Sequence, residues 1–588
     1  MRKGIPVSPG VVVGTAYCID QVFAPTSSDR LDDAEVASEL ARYQAARHRV
    51  AVELHALQQK VSRQVGPEEA AIFAMHESIV RDVAFTDRVE QWITEDRMPA
   101  SSALGRLLEE YTRLFDRTTD EYLRERVNDL RDVVVRLSAH VSDVLHPSDG
   151  PPLPRPLVLV ADELLPSQAV ALGDLEVEGI VTQAGSQTSH AAIIARSRGI
   201  PAVCGVPSVL AHVQTGDLLV VDGRDGTVIV NPDAETAAAY RKIEREYLHL
   251  RDELAGNREA PAVTADGIAL QLLANINDVS DAKAAEAMGA SGVGLFRTEY
   301  LYLTHPSIPG EQEQLEVYQA IVDDSPNRSV TIRTLDIGGD KTVPYLGGRH
   351  REANPFMGWR SIRLSFEHPD FFSTQIRAIL AAAAYAEKKG GQVRILFPMI
   401  CNLEEIHRLR AMVRRARRDL HERGIQVPPT PIGMMLEVPA AAVSIDTMLP
   451  FVDFVSIGSN DLVQYLMAAD RDNPKVSHLC QPLAPAVLRV LHQVITACLE
   501  SNTPVTLCGE MAGHPRAFLL LLGMGLRSFS MSPALIPSIK SLAAQLEIPQ
   551  ARAICQHAMR LKTTGHVRRY LRGKLKEIAP DMSLMEIE

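Results

Sequence analysis

Cysteine is scarce in this chain: seven residues in 588, dispersed and without a CxxC pair. An odd, scattered set excludes a disulfide framework and a zinc site, and suits a reducing cytoplasm. No apolar run reaches membrane-spanning length. The opening "MRKGIPVSPGVVVG" lacks the long apolar region and cleavage site of a signal peptide. The expectation is a cytoplasmic protein with no membrane segment. Basic residues are outnumbered, 61 Lys and Arg against 73 Asp and Glu, for a formal net charge of −12. That argues against a nucleic-acid surface and allows a basic protein partner. No P-loop appears, and helical patterning over 31–144 leaves no room for a nucleotide-binding domain. What remains, 46% hydrophobic and 23% charged, is ordinary for a soluble globular protein, and the length predicts three or four domains.

Residues 1–30 and 146–233 carry short valine-rich strands such as "PLVLVA", "GIVTQ", "DLLVVDG" and "GTVIVNP". They predict one α/β domain. Between them, 31–145 repeats apolar residues at three- and four-residue steps with almost no glycine, which predicts an inserted helical bundle. "HPSDGPPLPRP" (146–156) is a Pro/Gly break. "AETAAAYRKIEREYLHLRDELAGNR" reads as one exposed charged helix within a linker over 234–261.

From 262 to 588 apolar strand segments recur with helices between most of them: "LQLLANIN", "GVGLFRTEY", "VTIRTLDIGGD", "VRILFPMI", "PIGMMLEVPA", "DFVSIGSND", "VTLCGEMAG" and "SFSMSP". Eight such repeats predict a (β/α)8 barrel, whose active site lies at the C-terminal ends of its strands. Those ends carry Arg297, Arg333 with Asp336, Glu437, Asn460 with Asp461, and Cys508 with Glu510, while Arg360 and Arg471 follow close behind in sequence. Glu437 and Asp461 could share a hard cation such as Mg2+, which needs few carboxylates and keeps waters. The arginines would grip a multiply charged anion by bidentate hydrogen bonds. Arginine–carboxylate pairs bracing the barrel rim are the plainer explanation. Even a bound phosphorylated oxyacid leaves an aldolase, a lyase, a kinase and a phosphotransferase all open. Cys508 fits either a small core residue or a reactive thiol at a polar strand end.

"GSQTSHAAIIARSRGIPAVCG" (185–205) sets His190 after small and hydroxyl residues, where an apolar helix begins. Thr188 or Ser189 is a natural N-cap, which puts His190 in the first turn. The positive end of a helix keeps an imidazole neutral and nucleophilic, and its free N–H groups welcome a phosphate. A capped helix with an incidental histidine satisfies the same residues.

That stretch resembles the phosphohistidine signature of the phosphoenolpyruvate-utilising enzymes. "GVGLFRTEYLY", "RTLDIGGDK", "ANPFMGWRSIR", "IGMMLEVPAA", "SIGSNDLVQY", "DRDN" and "LCGEMAGHP" resemble the family's second signature region. With its domain order and inserted bundle, the chain resembles from end to end the enzyme I family of the phosphoenolpyruvate:sugar phosphotransferase system. The resemblance implies transfer of phosphate from phosphoenolpyruvate (PEP) to His190 and on to the carrier HPr or a related phosphocarrier protein, with release of pyruvate. It implies that Arg297, Arg333, Asn460 and Arg471 grip PEP and that Arg360 supports them. Asp461 would serve both substrate and metal, with Glu437 the second Mg2+ ligand, and Cys508 would protonate the enolate carbon. It also implies carrier docking on the bundle and a homodimer joined through the barrel domain.

The chain departs from the family pattern in places. Ser186 and Gln187 stand where a second glycine and an arginine are usual. Ala169 replaces a threonine that bonds the second imidazole nitrogen. In "PEEAAIFAMHESIVRDVAFT", matching the carrier-docking surface, Glu68, Glu69 and His76 remain, but the acidic run is thinned and includes Arg81. These changes keep an alternative in view, a PEP-sensing regulatory protein with an idle His190.

Overall fold

The computed structural model describes residues 1–18, 30–64, 69–116, 121–141, 155–162, 177–185, 195, 199–303, 308–338, 354–471, 473 and 475–585. The chain divides into two compact units, the first running from Met1 to Tyr247 and the second beginning at Leu248.

The first unit holds an eight-stranded mixed sheet. Its strands are β1 (Arg2–Lys3), β2 (Ile5–Ser8), β3 (Val11–Cys18), β4 (Leu157–Ala161), β5 (Val177–Thr182), β6 (Ala202–Cys204), β7 (Leu218–Asp222) and β8 (Thr227–Val230), in the order β1-β8-β7-β3-β4-β5-β6-β2. Alternation along β4 feeds two cores. Leu157 and Leu159 pack with Ile180 and Cys204 on one face, and Val158 and Val160 pack with Val12 and Val203 on the other. Five helices separate β3 from its parallel neighbour β4: α1 (Asp33–Gln64), α2 (Glu69–Arg81), α3 (Val83–Thr94), α4 (Ala100–Asp116) and α5 (Glu121–Val141). They enclose a core of their own around Tyr43, Leu54, Phe73, Val89, Leu104 and Val134. Asp82 stops α2 and caps α3 by accepting a hydrogen bond from the Phe85 N–H at 3.0 Å.

α6 (Ala234–Gly256) follows β8, and the boundary between the units falls inside it. The sequence suggests an exposed helix, but its first half is held. Ala237 and Tyr247 are buried, the Tyr247 hydroxyl donates to Pro9 O at 3.3 Å, and Glu244 accepts from the Val13 N–H at 3.2 Å. Polar contacts to Pro9 and to Val13 of β3, which the charged sequence does not announce, hold it there.

The second unit is a closed barrel of eight parallel strands. They are β9 (Gln271–Ile276), β10 (Val293–Arg297), β11 (Ser329–Arg333), β12 (Gln392–Phe397), β13 (Ile432–Leu436), β14 (Phe454–Ile457), β15 (Val505–Leu507) and β16 (Ser528–Met531), with β16 pairing β9 to complete the ring. Helices cover the outer face, so the strands are buried on both sides and appear in sequence as near-continuous apolar runs. Leu295, Leu396, Met435, Phe454 and Cys508 form a small apolar cluster. The strands are shorter than the apolar segments that announce them. Asn460 and Asp461 are not on β14 but in the first turn of α7 (Ser459–Met467), and Glu437 lies one residue beyond β13.

Candidate active site

Each barrel strand delivers its last side chains to the same end. β10 ends on Arg297 and β11 on Arg333, and Asp336 follows three residues later. Gly338 pairs by an isolated β-bridge with Arg360 and so brings that arginine back to β11. Only glycine fits there: its φ is +116°, and a Cβ would stand 2.3 Å from Trp359 O.

The result is a chain of alternating charge. Arg333 Nη1 faces Asp336 at 3.4 Å, and Arg360 holds both Asp336 oxygens, at 3.2 and 2.8 Å. Arg360 Nη2 also donates to Asp461 Oδ2 at 3.2 Å, and Arg471 Nη1 meets Asp461 Oδ1 at 2.9 Å. Arg333 donates through Nη2 to Glu299 at 2.6 Å. All but Arg471 are buried, so these pairs are charge-assisted and poorly screened. Burial works against the Arg333 charge, but Glu299, Asp336 and Glu437 outweigh it and hold the guanidinium above its ordinary value. Arg297 goes the other way: burial and then the neighbouring Arg333 draw it down.

Glu437 is buried and makes no ion pair among the described residues; its Oε1 accepts the Met399 N–H at 2.7 Å. Met399 holds a left-handed backbone, φ 57°, which a non-glycine residue adopts only when its surroundings impose it. Burial, then Asp461 and Asp336, keeps the Glu437 carboxyl well above the usual carboxylate range. A cation beside it would favour the ionised form. Among the described residues no three of His, Cys, Asp and Glu gather as a metal cage. Glu437 and Asp461, whose two oxygens meet Arg360 and Arg471, are hard donors of the kind that suit a cation able to keep other oxygens in its shell.

Cys508 follows β15 directly and is buried, with Sγ 3.4 Å from Ile457 O, while its own carbonyl accepts from Asn275 Nδ2 at 2.8 Å. Burial pushes the thiol up, against the pull of the Ser456 hydroxyl, Arg333 and Arg297. It is therefore held as a protonated thiol, with Glu437 adding to the upward shift and the two arginines opposing it. Asn460 Oδ1 accepts the Glu510 N–H at 3.0 Å, which joins the start of α7 to the segment after Cys508.

The structure thus gathers Arg333, Arg360, Asp461 and Arg471 into one network, with Arg297, Glu437 and Cys508 close enough to shift or be shifted by it electrostatically. His190, with Ala169, Ser186, Gln187 and Glu68, lies outside the described residues. His76 is not at a surface. It is fully buried, with Asp132 at 3.8 Å, because α2 turns that side toward α5. Three residues of the barrel end escaped the sequence argument. Glu299 is two positions past Arg297, beyond the end of β10. Tyr465, whose hydroxyl accepts from Arg360 Nη1 at 3.4 Å and donates to Phe356 O at 2.6 Å, is one helical turn past Asp461. Met399 acts through its backbone, which leaves no mark in a sequence.

Comparison with known proteins agrees across the chain. The PEP-binding domain of the PEP-utilising enzymes matches residues 251–548, their N-terminal domain 3–126 and their mobile domain 153–226. The chain is 39% identical to the phosphoenolpyruvate-protein phosphotransferase of Bacillus sp. (strain S) over 96% of each chain, and the Geobacillus stearothermophilus protein of that name gives the same figures. The Haemophilus influenzae protein of that name is 35% identical over 96% of this chain and 98% of its own.

Proposed function

The chain belongs to the phosphoenolpyruvate-protein phosphotransferases of the PEP-utilising enzyme family, and from that premise we propose that it takes the phosphoryl group of PEP onto His190 and passes it to a histidine of HPr or a related phosphocarrier, releasing pyruvate. The observation that carries this reading is the Arg333–Asp336–Arg360–Asp461–Arg471 network, buried except at Arg471, beside the Glu437 carboxyl, which makes no ion pair among the described residues. Arg297, Arg333, Asn460 and Arg471 bind the phosphate and carboxylate of PEP, and Arg360 braces them through Asp336 and Asp461. Phosphoryl transfer asks mainly for neutralised oxygens and an in-line nucleophile. The His190 imidazole attacks phosphorus, and the bond to the enol oxygen breaks. Cys508 gives its proton to the methylene carbon, which completes pyruvate. The thiolate left behind lies near Arg297 and Arg333 and regains a proton from water. Glu437 and Asp461 fit as protein ligands of Mg2+, which when bound neutralises charge on the substrate oxygens.

His190 belongs to the first unit and the arginines to the second. His190 must therefore come to the barrel mouth and leave it again within each cycle. This reading takes the protein to work in the cytoplasm, as a homodimer joined through the barrel. Among the described residues no helix is long and apolar enough to cross a membrane. The test is incubation with phosphorus-labelled PEP and Mg2+. Acid-labile, base-stable label is expected on the wild type and not on His190→Ala. Equal labelling of both would remove His190 as the acceptor.

A further inference from the structure

Thr298 and Glu299, which follow Arg297, are both buried and both turn toward β11. Glu299 Oε1 accepts from Arg333 Nη2 at 2.6 Å and from the Asp336 N–H at 3.1 Å. The Thr298 hydroxyl donates to Arg333 O at 2.9 Å and accepts from Gln375 Nε2 at 3.1 Å. Gln375 Oε1 in turn accepts the Leu335 N–H at 3.0 Å. One dipeptide, with Gln375 behind it, thus grips the backbone of Arg333 to Asp336 and one corner of the Arg333 guanidinium.

The remaining corners differ. Nη1 faces Asp336 Oδ2 at 3.4 Å and the Met435 sulfur at 3.7 Å. Nε is buried and has no hydrogen-bond partner among the described residues. A guanidinium is a rigid fork, so fixing Nη2 and bracing Nη1 fixes the direction of the Nε–H. A buried donor without an acceptor costs free energy, and such exceptions call for an account. An anionic oxygen arriving with a ligand supplies the acceptor. A carboxylate needed only to neutralise Arg333 would not have to hold the Asp336 N–H as well.

We propose that Glu299 is a positioning residue that aims Arg333 so that its spare Nε–H meets an oxygen of PEP. The inference rests on the reading of Arg333 as a substrate-binding residue. It predicts an ordering of variants set by reach and not by charge. Glu299→Asp keeps the charge but withdraws the carboxylate by one methylene. Glu299→Gln keeps an acceptor oxygen at full reach and removes a negative charge from beside two arginines.

The experiment is single-turnover labelling of His190 in the full chain with PEP and Mg2+, across PEP concentrations. It gives a half-saturating concentration and a limiting rate. Glu299→Asp should raise the half-saturating concentration about tenfold while leaving the limiting rate within a fewfold of wild type. Glu299→Gln should leave it at or below the wild-type value. A merely structural carboxylate would lower the folded fraction, and with it the labelled amplitude, without moving half-saturation. That pattern overturns the proposal, as does wild-type half-saturation in Glu299→Asp. Should Glu299→Asp fail to fold, Glu299→Gln decides: a rise of more than about threefold overturns the proposal, and an equal or lower value supports it. A wild type left unlabelled would instead overturn the parent reading, and this inference with it.

Discussion

The barrel unit gathers most of its buried apolar residues into one large core, with a separate five-residue cluster around Met435, and concentrates buried charge at one end. The first unit divides its apolar residues among a helical bundle and the two faces of a sheet. The contrast follows from strand topology. A closed ring of parallel strands has one interior and one set of C-terminal ends, so eight segments far apart in sequence deliver side chains to one place. The open sheet has no such focus. On the proposed reading its chemistry depends on a single local stretch, the one bearing His190. That reading gives one unit a fixed frame for a charged ligand and the other one reactive side chain.

The sharpest way to break that contrast is Asp461→Ala. It removes a proposed metal ligand and leaves Arg360 and Arg471 without their shared partner. Labelling of His190 from PEP should fall by roughly 10³-fold or more, while acceptance of phosphate from a phospho-carrier continues, because that exchange does not use the barrel. A variant that labels normally from PEP would take the reacting site away from the barrel end.

A smaller effect is expected at Cys508. General acid catalysis contributes about 10²–10⁴-fold, so Cys508→Ala should slow pyruvate formation by about 10²-fold while PEP affinity, read by calorimetry, changes by less than about threefold. Unchanged turnover would return Cys508 to the role its neighbours Leu295 and Met435 play, that of filling space.

The smallest effect concerns the barrel unit's stability alone. His514 is half-buried with its Nδ1 out of solvent, and burial, then Arg516 and Arg568, lowers its pKa from 6.5 to about 4. The unfolded chain takes up this proton at the ordinary value and the folded barrel resists it. Stability is therefore complete above about pH 6.5 and declines as the pH falls toward 4. The barrel's melting temperature should drop over that window, and His514→Gln should flatten the slope. A slope unchanged by the substitution would assign the acid sensitivity to other groups.

Much of this was legible in the sequence, for a physical reason. Parallel strands buried on both faces leave runs such as "VRILFPMI", and side chains at their ends stand out as polar breaks. Arg297, Arg333, Glu437 and Cys508 were visible that way. Asp461 was visible too, but as a strand end, because "DFVSIGSND" does not show that β14 stops at Ile457 and α7 begins. The pairing of Arg360 with both Asp336 and Asp461 was not legible. It depends on the bridge between Gly338 and Arg360, and sequence spacing does not record which of several carboxylates an arginine meets. His76 misled for the opposite reason. A helix expected to carry a docking surface has an inner face too, and a histidine within it is ambiguous until packing assigns its side.

On the proposed division of labour the first unit carries the phosphoryl group and the barrel is needed to take it from PEP. The most direct measurement uses residues 1–256, which keep α6 whole and with it the Tyr247 and Glu244 contacts to the sheet. Offered labelled phospho-carrier, this fragment should acquire acid-labile label at His190, and offered labelled PEP with Mg2+ it should acquire none. Label appearing on the fragment from PEP alone would contradict the division of labour outright.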